Sequence, residues 1–152
     1  MKFDVPHQKN LFDVHQTAAE MRRLSCRYCS DLGGWLCVPF LDYYRHICEL
    51  PYYPDPPEVE TVSRPLYTLM PDYSPRDCDD KSVLIASWLH AHGDPVRFVA
   101  TSTKPDGTLC HVFVQMQNGL LIDATYPQNA EFLGDYPYFR DVTRFEALTG
   151  WF

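Results

Sequence analysis

The chain has 152 residues, a net charge of −7, 45% hydrophobic residues and 14% aromatic residues. That length buries a core without metal or disulfide staples, and the apolar content excludes an intrinsically disordered chain. The acidic balance argues against nucleic acid as a partner, because phosphate binding needs basic clusters; the tightest one, Arg22, Arg23 and Arg27, reads as the wet face of a helix.

The N-terminus MKFDVPHQKN is polar and broken by Pro6, and no apolar run reaches membrane-spanning length. A cytoplasmic chain without a membrane partner is expected. Thr17 opens T-A-A-E, a capping-box pattern that predicts a helix over 17–29 with Ala18, Met21, Leu24 and Tyr28 near one face. Gly33-Gly34 should end that unit. A second helix is expected over 39–50, with Pro39 at its first position. The run P-Y-Y-P-D-P-P at 51–57 reads as a connector, and 58–76, holding Pro65, Pro71 and Pro75, as extended and irregular.

Asp77 is a good N-cap, and Asp80 sits three residues later in a capping-box position. They open a predicted amphipathic helix over 78–92, with Leu84, Ile85, Trp88 and Leu89 as its apolar face and Gly93 as its stop. Strands follow at 96–100, 110–116 and 120–125, the first two separated by a turn at Pro105-Asp106-Gly107. The last thirty residues carry no clear assignment. Tyr43-Tyr44 and the tail tyrosines Tyr136 and Tyr138 read as core or surface aromatics. The expectation is one α+β domain over 1–152: a helical portion and connector over 1–57, and a core over 58–152 in which the Cys78 helix packs on an antiparallel sheet.

Hairpin register decides which side chains share a face. A two-residue Asn118-Gly119 loop would mix Val112, Val114 and Met116 with Leu121, Asp123 and Thr125. A three-residue loop, Gln117-Asn118-Gly119, instead aligns Val112, Val114, Met116, Leu120, Ile122 and Ala124 on one apolar face. Burial favours the second register. His111, Phe113, Gln115, Leu121 and Asp123 then share the other face, with Asp123 opposite Phe113 and diagonal to His111.

Cys78, His111 and Asp123 form a candidate nucleophile, base and orienting carboxylate. His90 is twelve residues along the same helix from Cys78, about 18 Å, too far to take its proton, and His92 is no better placed. Cys110 neighbours His111, but adjacent strand residues point to opposite faces, which demotes it as the nucleophile. A helix start favours a thiolate through unpaired N–H groups and the macrodipole; Asp79 and Asp80 oppose it, so the His111 imidazolium has to offset them. The Cys78 N–H is one expected oxyanion donor, and Tyr73 a candidate second.

Six cysteines are present; with Cys78 as nucleophile the other five cannot all pair, so buried free thiols are expected. Cys26-x-x-Cys29 with Cys37 and Cys48 or His46 would be the alternative, a zinc-stabilised interaction domain. It has only one tight pair, placed inside a predicted helix, and no cofactor is expected.

The runs D-C-D-D-K-S-V-L-I-A-S-W-L-H-A-H-G-D-P-V-R-F-V, H-V-F-V-Q-M and L-I-D-A-T-Y-P resemble the transglutaminase-like domain of the papain-like cysteine peptidase superfamily. The resemblance covers about 77–127. It implies a papain-like core, with Cys78 as nucleophile, His111 as base and Asp123 as orienter, and chemistry through a thioester: hydrolysis of a peptide or protein amide, or acyl transfer to an amine. Arg76 stands where glycine is common and Gln115 where glutamate is common, which leaves the substrate open. Small versions of the domain occur in bacteria and their phages, which is the origin the resemblance implies. The rival reading is a catalytically inactive binding or structural module on the same fold, for instance a virion or assembly component; its mark would be loss of a triad member, and none is lost.

Overall fold

A computed structural model describes residues 7–9, 13–57, 59–72, 75–127 and 141–152. Among them, no helix is long and apolar enough to cross a membrane. The architecture is α+β. Helices α1 (Val14–Arg27) and α2 (Phe40–Glu49) flank a 3₁₀ segment, Cys29–Cys37. A short strand, β2 (Val59–Thr61), pairs antiparallel with β1 (His7–Lys9). The short helix α3 (Pro65–Thr68) precedes the central helix α4 (Cys78–Ala91). Strands β3 (Val96–Ser102), β4 (His111–Met116), β5 (Leu121–Ile122) and β6 (Arg144–Ala147) form an antiparallel sheet in the order β5-β4-β3-β6.

Several boundaries depart from expectation. Helix α1 begins one turn earlier than Thr17, because Asp13 caps it by accepting the His15 N–H at 2.9 Å. Gly33 does not end its unit; it kinks the 3₁₀ segment with φ 53°. Residues 58–76 are not wholly irregular, since β2 and α3 form there. Strand β6 emerges from the unassigned C-terminal region, where β3 supplies its ladder partner.

Helix α4 begins at Cys78 with both bonds of the capping box between Asp77 and Asp80. It is not amphipathic. Asp79, Asp80, Lys81, Ser82 and Ser87 are buried together with Val83, Leu84, Ile85, Ala86, Trp88 and Leu89. The physical reason is position: α1, the 3₁₀ segment, α2 and α3 surround the helix where it leaves the sheet, so no side is left to solvent. Its polar groups are bonded inward. Ser82 Oγ donates to the Val112 carbonyl at 3.2 Å, and Trp88 Nε1 to the Trp35 carbonyl at 3.0 Å.

The three-residue hairpin forms as the apolar pattern requires. Val114 pairs with Ile122 and Gln115 with Leu121; Met116 N–H donates to Leu120 O, and Gly119 takes φ 93°. Val112, Val114, Ile122 and Ala124 join the main core with α1, α2 and α4. The opposite face is also dry: Val99, Phe113 and Leu121 form a second cluster there.

Candidate active site

Asp123 lies just past β5 rather than within a strand. Leaving the ladder lets its own backbone be held from outside: Tyr44 Oη on α2 donates to the Asp123 carbonyl at 2.7 Å. Its Oδ1 accepts the N–H groups of Thr125 and Tyr126, both at 2.9 Å, as an Asx turn does. Its Oδ2 lies 2.6 Å from His111 Nε2. Both side chains of the pair are buried, at 5% and 1% exposure. The diagonal relation read from the hairpin register thus becomes a direct imidazole–carboxylate contact. Phe113 stacks on the His111 ring and Tyr126 meets it edge-on, which fixes the ring plane.

Cys78 and His111 line one cleft of about 330 Å³. Its lining is mixed, with Tyr52, Glu60, Asp77 and Asp79 polar and Val14, Met21, Leu109 and Leu148 apolar. The Val112 backbone N–H lies against the Cys78 sulfur and favours the thiolate. Burial opposes it first, and the carboxylates of Asp79 and Asp77 second, so the thiol is pushed well above its ordinary range. The expected resting thiolate is therefore disfavoured by its own surroundings.

Cys110 also reaches the cleft; its thiol donates to the Thr101 carbonyl at 3.8 Å, as the Cys78 thiol does to Asp79 Oδ1 at 3.8 Å. The other described histidine rings are engaged elsewhere. His15 pairs with Glu146, His46 stacks on Trp35, His90 lies near Phe152, and His92 bonds the carbonyls of Trp88 and Leu36.

All six cysteines are free. The expectation of burial does not hold: Cys37 and Cys110 are exposed and the others only partly covered. Among the described residues the N-terminal cysteines do not converge as metal ligands. The group that does is Asp77, Cys78 and Asp79, whose donor atoms lie within 4.8 Å of one another. These three residues could hold a divalent cation at the cleft. Tyr73, the candidate second oxyanion donor, lies outside the described residues, as do Tyr136 and Tyr138.

The acidic group was not legible as a cluster, because Asp55 and Glu60 reach it only through the chain's return along β2. Asp55 accepts the Thr61 N–H at 2.6 Å and its hydroxyl at 2.5 Å. Asp80 accepts the Ser63 N–H at 2.8 Å. Burial first, then Asp55 and Glu60, push the Asp77 carboxyl up to about 7 from an ordinary 3.8. Asp79 and Asp80 are raised in the same direction, by burial first and then by Asp77. A carboxyl raised on folding makes the native state bind more protons than the unfolded chain between the two values, so stability falls as pH rises through that window. Thermal unfolding should accordingly show stability falling by roughly 2–4 kcal/mol as pH rises from 5 to 8. Asp77→Asn, which still caps α4, should flatten that slope; an unchanged slope would remove Asp77 as its source.

No family model, curated protein or solved structure matches this chain.

Proposed function

We propose that the protein is a cysteine-dependent amide hydrolase or acyltransferase on a transglutaminase-like, papain-like core, acting on a peptide or protein amide through a thioester. The observation that carries this reading is the buried 2.6 Å His111–Asp123 contact at a cleft shared with the first residue of α4, Cys78. The motif resemblance over 77–127 supports it independently.

Asp123 takes Nε2, so the imidazole presents Nδ1 on its other edge. Nδ1 accepts the Cys78 proton as the sulfur attacks the carbonyl carbon. Since burial, Asp77 and Asp79 keep the resting thiol protonated, proton transfer accompanies attack rather than preceding it. Asp123 stabilises the imidazolium that forms. The tetrahedral intermediate collapses, the C–N bond breaks, and the amine leaves with the proton from Nδ1. Water, or an amine in the transfer reaction, then adds to the thioester carbonyl as His111 takes its proton; the C–S bond breaks, and that proton returns to the Cys78 sulfur as the acid or new amide leaves. Hydrolysis is favoured slightly, since no dedicated amine site can be read from the sequence. The apolar lining of the cleft suits an acyl group with a hydrophobic side chain.

A second reading, a non-catalytic module on the same fold, is favoured by the same raised Cys78 thiol. Iodoacetamide labelling at neutral pH, mapped by mass spectrometry, separates the two. Cys78 should label faster than the more exposed Cys37 and Cys110, and His111→Ala should slow Cys78 alone. Labelling of Cys78 no faster than in the denatured chain would remove the enzyme reading and leave the module.

A further inference from the structure

We infer that the phenol of Tyr52 is the second hydrogen-bond donor to the oxyanion formed at Cys78, completing a hole whose first donor is the Cys78 backbone N–H. The inference rests on the proposed function and names a catalytic group within it.

An acyl transfer to sulfur moves the carbonyl π pair onto oxygen, and that charge needs donors aimed at it. The start of α4 supplies one. The Asp77 side chain caps the N–H groups of Asp79 and Asp80, and the Lys81 N–H donates to the Asp77 carbonyl at 3.1 Å. Among the described residues, the Cys78 N–H has no such acceptor. A second donor has to stand beside Cys78 and be neutral, since Asp77, Asp79 and Glu60 can only repel an oxyanion when ionised.

Tyr52 meets both conditions. It lies in the proline-rich connector, which is irregular but firmly tied. Tyr53 and Arg76 exchange two main-chain hydrogen bonds, each 2.7 Å. Arg76 Nη1 also donates to the Pro51 carbonyl at 3.2 Å. Residues on either side of Tyr52 are thus fastened to the residue two before Cys78. On an antiparallel bridge between 53 and 76, position 52 stands opposite 77, the residue before Cys78. The ring accordingly lines the cleft with Cys78 and His111.

Other tyrosines of the fold spend their hydroxyls on structure: Tyr43 donates to Leu84 O and Tyr44 to Asp123 O. The Tyr52 hydroxyl has no such partner among the described residues, and its side chain is 48% exposed. Burial, followed by the charges of Cys78, Asp77, Tyr126 and Asp79, raises its pKa, so it remains a protonated donor. Thr17 is the other neutral hydroxyl in the cleft, but it sits on α1 with no tie to the approach to Cys78.

In the step, the S–C bond forms while the carbonyl electron pair moves to oxygen, which accepts from Cys78 N–H and Tyr52 O–H. Collapse restores the carbonyl and expels the leaving group. Alkylation by iodoacetamide displaces iodide at a saturated carbon and develops no oxyanion. The two reactions of the same thiol therefore separate the roles.

The experiment compares wild type and Tyr52→Phe in the full chain, measuring single-turnover acylation by p-nitrophenyl acetate and alkylation of Cys78 by iodoacetamide. Tyr52→Phe should slow acylation about 10²-fold and leave alkylation unchanged. Acylation at the wild-type rate with alkylation intact would overturn the inference while leaving Cys78 as nucleophile. Equal slowing of both reactions would overturn it too, by making Tyr52 a support for the thiol or the cleft mouth. So would a wild type that alkylates rapidly at Cys78 yet is not acylated. Ordinary alkylation of wild-type Cys78 would instead bring down the underlying reading.

Discussion

His111→Ala should reduce acylation of Cys78 by about 10²–10⁴-fold at neutral pH, the range for loss of a positioned general base. Electrostatics at the cleft make the dependence steep. Burial and the carboxylates of Asp79 and Asp77 hold the Cys78 thiol well above its ordinary range, so the sulfur cannot rely on spontaneous ionisation near pH 7. The Val112 N–H and the helix start favour the thiolate but do not prevail. Without His111 the rate should climb with pH as hydroxide takes over deprotonation, so the deficit narrows in alkaline solution. Asp123→Ala should also be severe, because it leaves a buried ring without the carboxylate at 2.6 Å that orients it. The double variant should be little worse than His111→Ala, since the two residues act as one unit. Release of p-nitrophenol in a single turnover, followed from pH 6 to 10, measures all of this. A pH-independent deficit, or additive losses in the double variant, would contradict the assignment.

Arg76→Ala should lower stability by about 3–5 kcal/mol, comparable to breaking a buried charged network. Arg76 is fully buried, yet its guanidinium donates to three main-chain carbonyls: Thr68 O at 2.9 Å, Pro51 O at 3.2 Å and Met70 O at 2.6 Å. One side chain thereby joins the connector, the end of α3 and the approach to Cys78. Removing it leaves a cavity and several carbonyls without their donor. Hydrogen bonds to a charged group contribute about 1.5–3 kcal/mol each, partly offset here by release of the buried charge. Arg76→Met refills the volume without the donors and should fall between wild type and alanine. Urea unfolding gives the comparison; a loss under about 1 kcal/mol for Arg76→Ala would show that water replaces the guanidinium, contrary to the packing. Acylation should fall as well, since the Pro51 carbonyl would lose the donor that helps hold the neighbouring Tyr52 at the cleft.

Arg76 also marks a boundary of sequence reading. In the chain it is an arginine before an acidic N-cap, at a place where the resembling domain often has glycine. Nothing local announces that it will be buried or that three carbonyls from two segments will converge on it. Tyr44 is similar. As half of a Tyr-Tyr pair it reads as a core or surface aromatic; it is core, and its hydroxyl also holds the backbone of Asp123. Tyr52 and Glu60 reach the cleft through a proline-rich connector and a strand of three residues, elements whose paths no periodicity encodes.

Short-range rules did carry far. The D-C-D-D start specified the capping box and put Cys78 at the first position of α4, because those bonds span three residues. Alternating apolar residues around Asn118-Gly119 selected the hairpin register, since a slip by one would turn the apolar set away from the core. That register brought His111 and Asp123 to one face. Where those rules stop is equally physical. Helix α4 reads as amphipathic from its own residues, but burial is set by neighbours, and helices on one side with the sheet on the other cover it all round. The cysteines read as packed from their chemistry, and Cys37 and Cys110 are exposed for the same reason in reverse. Local sequence determined cap, register and the order of the three candidate residues. The acidic group, the Arg76 clamp and the placement of Tyr52 depend on segments far apart in the chain meeting around one helix start.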